Sequence, residues 1–207
     1  MEYLSLIGLI FVIHLLAVMS PGPDFVMVLK NAMQYDRKTG VYTAFGISLG
    51  IGVHILYSIS GVAYMMQHNV FVFKMVKIAG ALYIIYIGMQ TINENQPKIE
   101  MEKQAHPKVP DVWQAVKTGF LTNVLNPKAS LFFLSIFSLV IPPDVPTQVL
   151  LVISFMLIAV TFLWFVFVSF VFTGRAMRKI YEKYENLVIK IFGLLLMGLG
   201  AVIIFEL

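Results

Sequence analysis

Residues 20–24 read Ser-Pro-Gly-Pro-Asp and interrupt the first hydrophobic stretch of the chain. The residues just before them, Leu4 to Ser20, are almost unbroken apolar. Inside lipid, each unsatisfied backbone group costs several kcal/mol. Pro21 and Pro23 carry no N–H and free the carbonyls of Ala17 and Met19, so these groups need other protein or a water-filled cavity. Proline also suits the first turn of a new helix. Pro21, Gly22 and Pro23 are therefore read as a helix break, with a half-helix starting near Asp24. That half-helix presents free N–H groups and a positive dipole end, a field that stabilises Asp24.

A second break of this kind stands at Asn126-Pro127-Lys128. Pro127 frees the carbonyl of Asn123, and a half-helix beginning there offers another positive end with Lys128 beside it.

The rest of the chain sets these breaks in a membrane. Of its 207 residues, 59% are hydrophobic and 13% charged, against about 45–50% and about 25% in soluble domains. Mean hydropathy is +0.85. Runs without Asp, Glu, Lys or Arg cover 3–23, 39–73, 78–93, 129–143, 145–174 and 191–205. With about 20 apolar residues needed per span, six segments are expected. They are 3–33 (broken at Pro21–Pro23), 40–66, 70–91, 113–141 (broken at Asn126-Pro127), 147–172 and 186–205. Met1-Glu2 gives no basic leader and no A-x-A-like site lies near residue 20, so no cleaved signal peptide is expected.

The expected fold is an all-α polytopic membrane protein: a single membrane domain, 1–207. The polar stretch 93–112 divides it into a first half, 1–92, and a second half, 113–207. Each half opens with a broken segment followed by two more. Three spans per half invert the second half relative to the first. Paired Gly/Pro-interrupted segments in an inverted repeat point to a transporter's binding site.

Twelve basic residues fall in the loop regions after segments one, three and five: Lys30, Arg37, Lys38, Lys98, Lys103, Lys108, Lys117, Arg175, Arg178, Lys179, Lys183 and Lys190. Only Lys74 and Lys77 are placed in the loops after segments two and four, and Lys128 lies inside a segment. The positive-inside rule then makes loops one, three and five, including 93–112, cytoplasmic. Six spans put both termini outside; a re-entrant first segment leaves five spans and the N-terminus inside. The net charge of +4 follows from this bias and calls for no nucleic-acid partner.

Asp24 is the most telling residue. An aspartate at mid-membrane costs about 2.5–3.5 kcal/mol on insertion scales and usually marks an ion or substrate path. The competing reading is a cap in a wet site. Lys128 either meets substrate or snorkels to the interface. Asn31, Asn123 and Asn126 either bind substrate or satisfy broken backbone, and Ser20, Thr122 and Ser130 are assigned to backbone. His54 is a packed polar contact or a proton-coupling group; His14 ranks below it, and His68 and His106 belong to loops. Tyr83 and Tyr86 are assigned to an interface belt or core, and 162–172 to lipid-facing filler. Gly46-x-x-x-Gly50, Gly52, Gly193, Gly198 and Gly200 let helices approach closely, within the chain or in a homodimer.

Several chemistries find no support. Cysteine is absent and Asp24 is the one acid within a span, so no metal site and no cofactor are expected. An intramembrane enzyme would need a nucleophile and base or a ligand set such as H-E-x-x-H; none is present, and the chain is not expected to be an enzyme.

These motifs resemble the lysine-exporter superfamily, specifically its threonine/homoserine-exporter branch (LysE/RhtB type). The resemblance rests on S-P-G-P-D at 20–24, Arg37-Lys38-Thr39-Gly40 with G-I-S-L-G-I-G-V-H at 46–54, and G-F-L-T-N-V-L-N-P-K-A at 119–129. It covers the whole chain. It implies a bacterial inner-membrane secondary transporter that exports amino acids or close derivatives, driven by the proton gradient or membrane potential. In the mechanism this suggests, the substrate ammonium meets Asp24 and its carboxylate meets a half-helix N-terminus helped by Lys128. Protonation of Asp24 from outside releases substrate, and the halves rock to alternate access. The competing readings are an inorganic cation or metal exporter of similar plan and a non-transporting accessory subunit.

Overall fold

The computed structural model describes residues 2–20, 22–93, 109–142, 145–171, 187, 190–191, 193–198, 200–202 and 204. Pro21, His106 and the basic residues Lys98, Lys103, Lys108, Arg175, Arg178, Lys179 and Lys183 lie outside the described residues.

Every element bounded among the described residues is an α-helix: α1 (Glu2–Met19), α2 (Pro23–Gln34), α3 (Arg37–His68), α4 (Val70–Asn93), α5 (Val112–Val124), α6 (Pro127–Leu139) and α7 (Thr147–Val171). The fold is that of a polytopic membrane protein. Both expected breaks are real. α1 and α2 meet at 58° and α5 and α6 at 59°. Helices α3, α4 and α7 are each long and apolar enough to cross a bilayer, and each bent pair counted as one span brings the number to five among the described residues. The sixth expected segment, 186–205, is described in part, as a short apolar helix at Gly193–Val202.

Helix starts follow from side-chain caps. Asp36 Oδ1 accepts the N–H of Thr39 at 2.7 Å and its hydroxyl at 2.7 Å, opening α3. Asp111 opens α5 with a capping box, accepting from the Gln114 N–H at 2.8 Å. The freed carbonyls also find partners: Ala17 O takes the Ser20 N–H at 3.3 Å, and Asn123 O takes the Asn126 N–H at 2.9 Å.

Several expected loop cations are helical. Lys74 and Lys77 lie in the first turns of α4, Lys30 in α2 and Lys117 in α5, because the helices run past the apolar segments. Lys77 stays against an aromatic face, its Nζ 5.5 Å from the Phe73 ring centroid.

Helix α3 is the hub, packing on α2, α4, α5, α6 and α7, while α7 packs on α1 and α2. The contacts cross between halves: α3 of the first half meets both arms of the second broken pair, and α7 meets both arms of the first. The α3–α5 contact is the most extensive, and glycine makes it so. A Cβ added at Gly46 would run into the carbonyl oxygen of Val116, and one at Gly119 into that of Thr43. Gly50 sits against the Asn123 side chain, and Gly193 and Gly200 lie against Gly88 and Ala81 of α4. These glycines therefore serve close packing inside the chain.

The buried core has two parts. One joins α1, α3, α6 and α7 through Ile10, Ile55, Phe133, Ile136 and Leu157. The other joins α2, α3 and α7 through Val28, Ala44, Ile47, Phe165 and Val168. The tract 162–172 is thus not uniformly lipid-facing: Leu163 is 64% exposed, but Phe165 is 2% exposed. A 3.6-residue period sends Thr161, Phe165 and Val168 to one inward face, a division that an all-apolar stretch hides.

Candidate functional site

The two breaks meet. At the first, Gly22 is the extended N-cap residue, Pro23 sits in the first turn, and no side chain caps α2. At the second, Asn126 caps α6 by accepting the Lys128 N–H at 3.0 Å, with Pro127 in the first turn. Each break then reaches across to the other. Asn123 Nδ2 donates to Asp24 Oδ2 at 2.8 Å, and Asn126 Nδ2 donates to the same oxygen at 3.3 Å. In return, Lys128 Nζ donates to Ser20 Oγ at 3.0 Å. A Cβ added at Gly22 would stand 3.7 Å from Lys128 Nζ, so the ammonium lies over the first break.

A cavity partly open to the outside lies at this junction. Its polar wall is His14, Ser20, Asp24, Asn126 and Lys128; its apolar wall includes Phe25, Ile84, Phe132, Phe165 and Leu196. Asp24 Oδ1 is buried and meets no hydrogen-bond donor among the described residues. The cavity lining therefore holds a carboxyl group with one hydrogen-bonded oxygen and one buried oxygen that meets no donor, together with the Lys128 ammonium.

Other expected residues distribute unevenly. Asn31 is buried away from the cavity lining, its Nδ2 donating to Thr43 Oγ1 at 2.9 Å. Asn123 stands behind Asp24 rather than in the lining. His54, 1% exposed, is bonded at Nε2 to the Asn123 carbonyl at 3.0 Å. Thr122 and Ser130 donate to backbone carbonyls four residues back, as expected, whereas Ser20 meets Lys128. Tyr83 donates to the Pro127 carbonyl at 3.3 Å, so it serves the second break. Exposed His68 bonds the Tyr64 carbonyl at the end of α3.

His14, ranked below His54 from the sequence, is brought to the cavity wall. It is buried in the cavity wall, with Nε2 bonded to the Leu157 carbonyl at 3.1 Å and to Thr161 Oγ1 at 2.9 Å. Its Nδ1 meets no partner among the described residues. The available signal was a histidine deep in the apolar run that leads into the first break.

Fold and site together define a polytopic membrane protein with a charged cavity built between two broken helices. The chain belongs to the LysE family: the family described as LysE type translocator matches residues 15–207. It is 28% identical to the threonine efflux protein of Escherichia coli (strain K12) over 197 residues, 91% of this chain and 92% of that protein. It is 31% identical to an uncharacterized membrane protein of Pseudomonas aeruginosa over 185 residues, 87% of this chain and 82% of that one. An uncharacterized membrane protein of Bacillus subtilis (strain 168) is 28% identical over 190 residues, 88% and 90% of the two chains. No solved structure matches the chain.

Proposed function

We propose that this chain is a secondary transporter, not an enzyme, that exports amino acids or close derivatives from the cytoplasm by alternating access, driven by the proton gradient or the membrane potential. The observation that carries this reading is the pairing of Asp24 and Lys128 in one cavity, each supplied by a different break. The buried Asp24 Oδ1, which meets no donor, accepts the substrate ammonium once the cavity admits it, while Asn123 and Asn126 hold Oδ2. Lys128 and the positive end of α6 take the substrate carboxylate. A zwitterion satisfies both at once; a bare cation or anion leaves one charge unmatched in a mostly apolar cavity. Protonation of Asp24 from outside removes the charge that holds the ammonium, and substrate leaves.

In this reading the single membrane domain lies in the bacterial inner membrane as two inverted halves, 1–92 and 113–207, with the loops after segments one, three and five cytoplasmic. The crossing contacts of α3 and α7 support that symmetry.

The test is efflux from cells preloaded with mixed amino acids, comparing wild type with Asp24→Asn at matched membrane abundance. Threonine, named for the Escherichia coli relative, is measured first. Wild type is expected to lower one or a few internal pools and the variant none. No change in any pool with wild type would overturn the substrate class. Equal export by both proteins would reduce Asp24 to a helix cap.

A further inference from the structure

The second break is held by a network that the binding scheme above does not use. His54 Nε2 lies 3.0 Å from the Asn123 carbonyl oxygen, and His54 Nδ1 lies 2.8 Å from the Tyr57 hydroxyl. That hydroxyl donates to the Ser130 carbonyl at 3.1 Å. Asn123 is in the last turn of α5 and Ser130 in the first turn of α6, so the two α3 side chains bridge both lips of the break.

The hydrogens can be counted. A carbonyl oxygen only accepts, so Nε2 carries a hydrogen toward Asn123 and Tyr57 spends its single hydrogen on Ser130. The short His54–Tyr57 contact then requires a hydrogen on Nδ1 as well. Three contacts need three hydrogens. A neutral imidazole and a phenol bring two; an imidazolium and a phenol bring three. With neutral His54, Tyr57 either turns to Nδ1 and releases Ser130, or keeps Ser130 and sets two lone pairs against each other.

We propose that His54 and Tyr57 are positioning residues that clamp the second break in a protonation-dependent way: imidazolium holds the Asn123 and Ser130 carbonyls together, and neutral imidazole gives up one contact. The clamp bears on the site because Asn123 also holds Asp24, and Ser130 shares its turn with Lys128. Its effect on export rests on the transport reading; its existence does not. His54 stacks on Phe133 at 5.8 Å with the rings 3° from parallel, which leaves the imidazole little freedom to turn. The titratable and charged groups around it are Tyr57 on α3, Asp24 of α2 behind Asn123, Lys128 of α6, Tyr83 of α4 at Pro127, and His14 of α1, which also packs on Phe133 at 5.7 Å. Helix α5 adds the exposed Lys117, and α7 carries no titratable side chain.

The experiment is nitrogen-15 spectroscopy of histidine-labelled protein in lipid nanodiscs from about pH 5 to about pH 8, the window in which histidine titrates. His54→Gln assigns its signal among the four histidines. In wild type, His54 is expected to gain a second N–H on the acid side. Tyr57→Phe should move that midpoint down by roughly half to one pH unit, the equivalent of one neutral hydrogen bond. In wild type alone, amide exchange across 124–130, corrected for its intrinsic pH dependence, should slow as the second N–H appears. This measurement decides the matter if Y57F does not fold. A His54 that stays neutral throughout, a midpoint indifferent to Y57F, or exchange that ignores His54 protonation overturns the clamp. The spectra need no substrate. A clamp found without amino-acid efflux overturns the transport reading alone, and efflux with an indifferent His54 overturns the clamp alone.

Discussion

Lys128 occupies the first turn of α6, where the helix presents its positive end. A cation there is unfavourable by about 0.3–1 kcal/mol, whereas Asp24 in the matching turn of α2 is favoured by the same field. A residue that breaks a local rule at a cavity wall points to a role outside local stability. Lys128→Gln is therefore expected to leave folding intact or slightly improved while reducing efflux at least ~10-fold, the scale of losing one charge-assisted contact; unfolding in detergent and efflux, measured on the same preparation, separate the two effects. Asn123→Ala removes the shorter bond to Asp24. A hydrogen bond to a charged group contributes about 1.5–3 kcal/mol, so apparent substrate affinity should fall by roughly 10- to 100-fold, read from the concentration dependence of efflux. Both breaks and both charges were legible in the sequence because proline and mid-membrane charge carry costs that do not depend on fold. The choice among neutral residues was not. From the sequence Asn31 is a substrate-binding candidate and His14 ranks below His54, yet Asn31 turns to Thr43 and His14 to the cavity wall, because only tertiary packing decides which face of a helix is inward.

At the scale of elements, caps and close crossings make separable predictions. The N–H and hydroxyl of Thr39 hold the Asp36 carboxylate below its ordinary range. Because the folded value lies below the unfolded one of about 3.9, this stabilisation is present at neutral pH and is lost as pH falls through the folded value. Asp36→Ala should cost ~1 kcal/mol at pH 7, and its difference from wild type should shrink in strong acid; thermal unfolding at several pH values checks both. Gly46→Ala and Gly119→Ala meet carbonyl oxygens of the facing helix rather than flexible side-chain ends. Overpacking of this sort costs about 1–3 kcal/mol, so both variants should melt well below wild type. Gly198→Ala, where an added Cβ meets nothing within 4 Å among the described residues, should not. The sequence located the helices because their apolar lengths are set by the bilayer. It mistook the inward stripe of α7 for lipid-facing filler because an apolar core and apolar lipid ask for the same side chains.

For the whole molecule, the sidedness expected from twelve basic residues against two can be tested directly, since the chain contains no cysteine. A cysteine introduced at Lys38, in the first turn of α3, should react with an impermeant maleimide only from the cytoplasmic side. One at Asn69, between α3 and α4, should react only from the other. Labelling of both from one side would invert or abolish the proposed topology. The seam between α3 and α5 has a further consequence. With backbone against backbone at Gly46 and Gly119, no side chain lies between them to slide or reshape, so the contact is a weld and not a bearing. It joins α3, before the polar stretch, to α5, after it. The welded pair is a spar common to both halves, so under the proposed alternating access any movement is expected outside this seam. Fluorescent reporters fixed on α3 and on α5 are expected to keep their separation through any transport cycle, and a change between them would show that the seam slides.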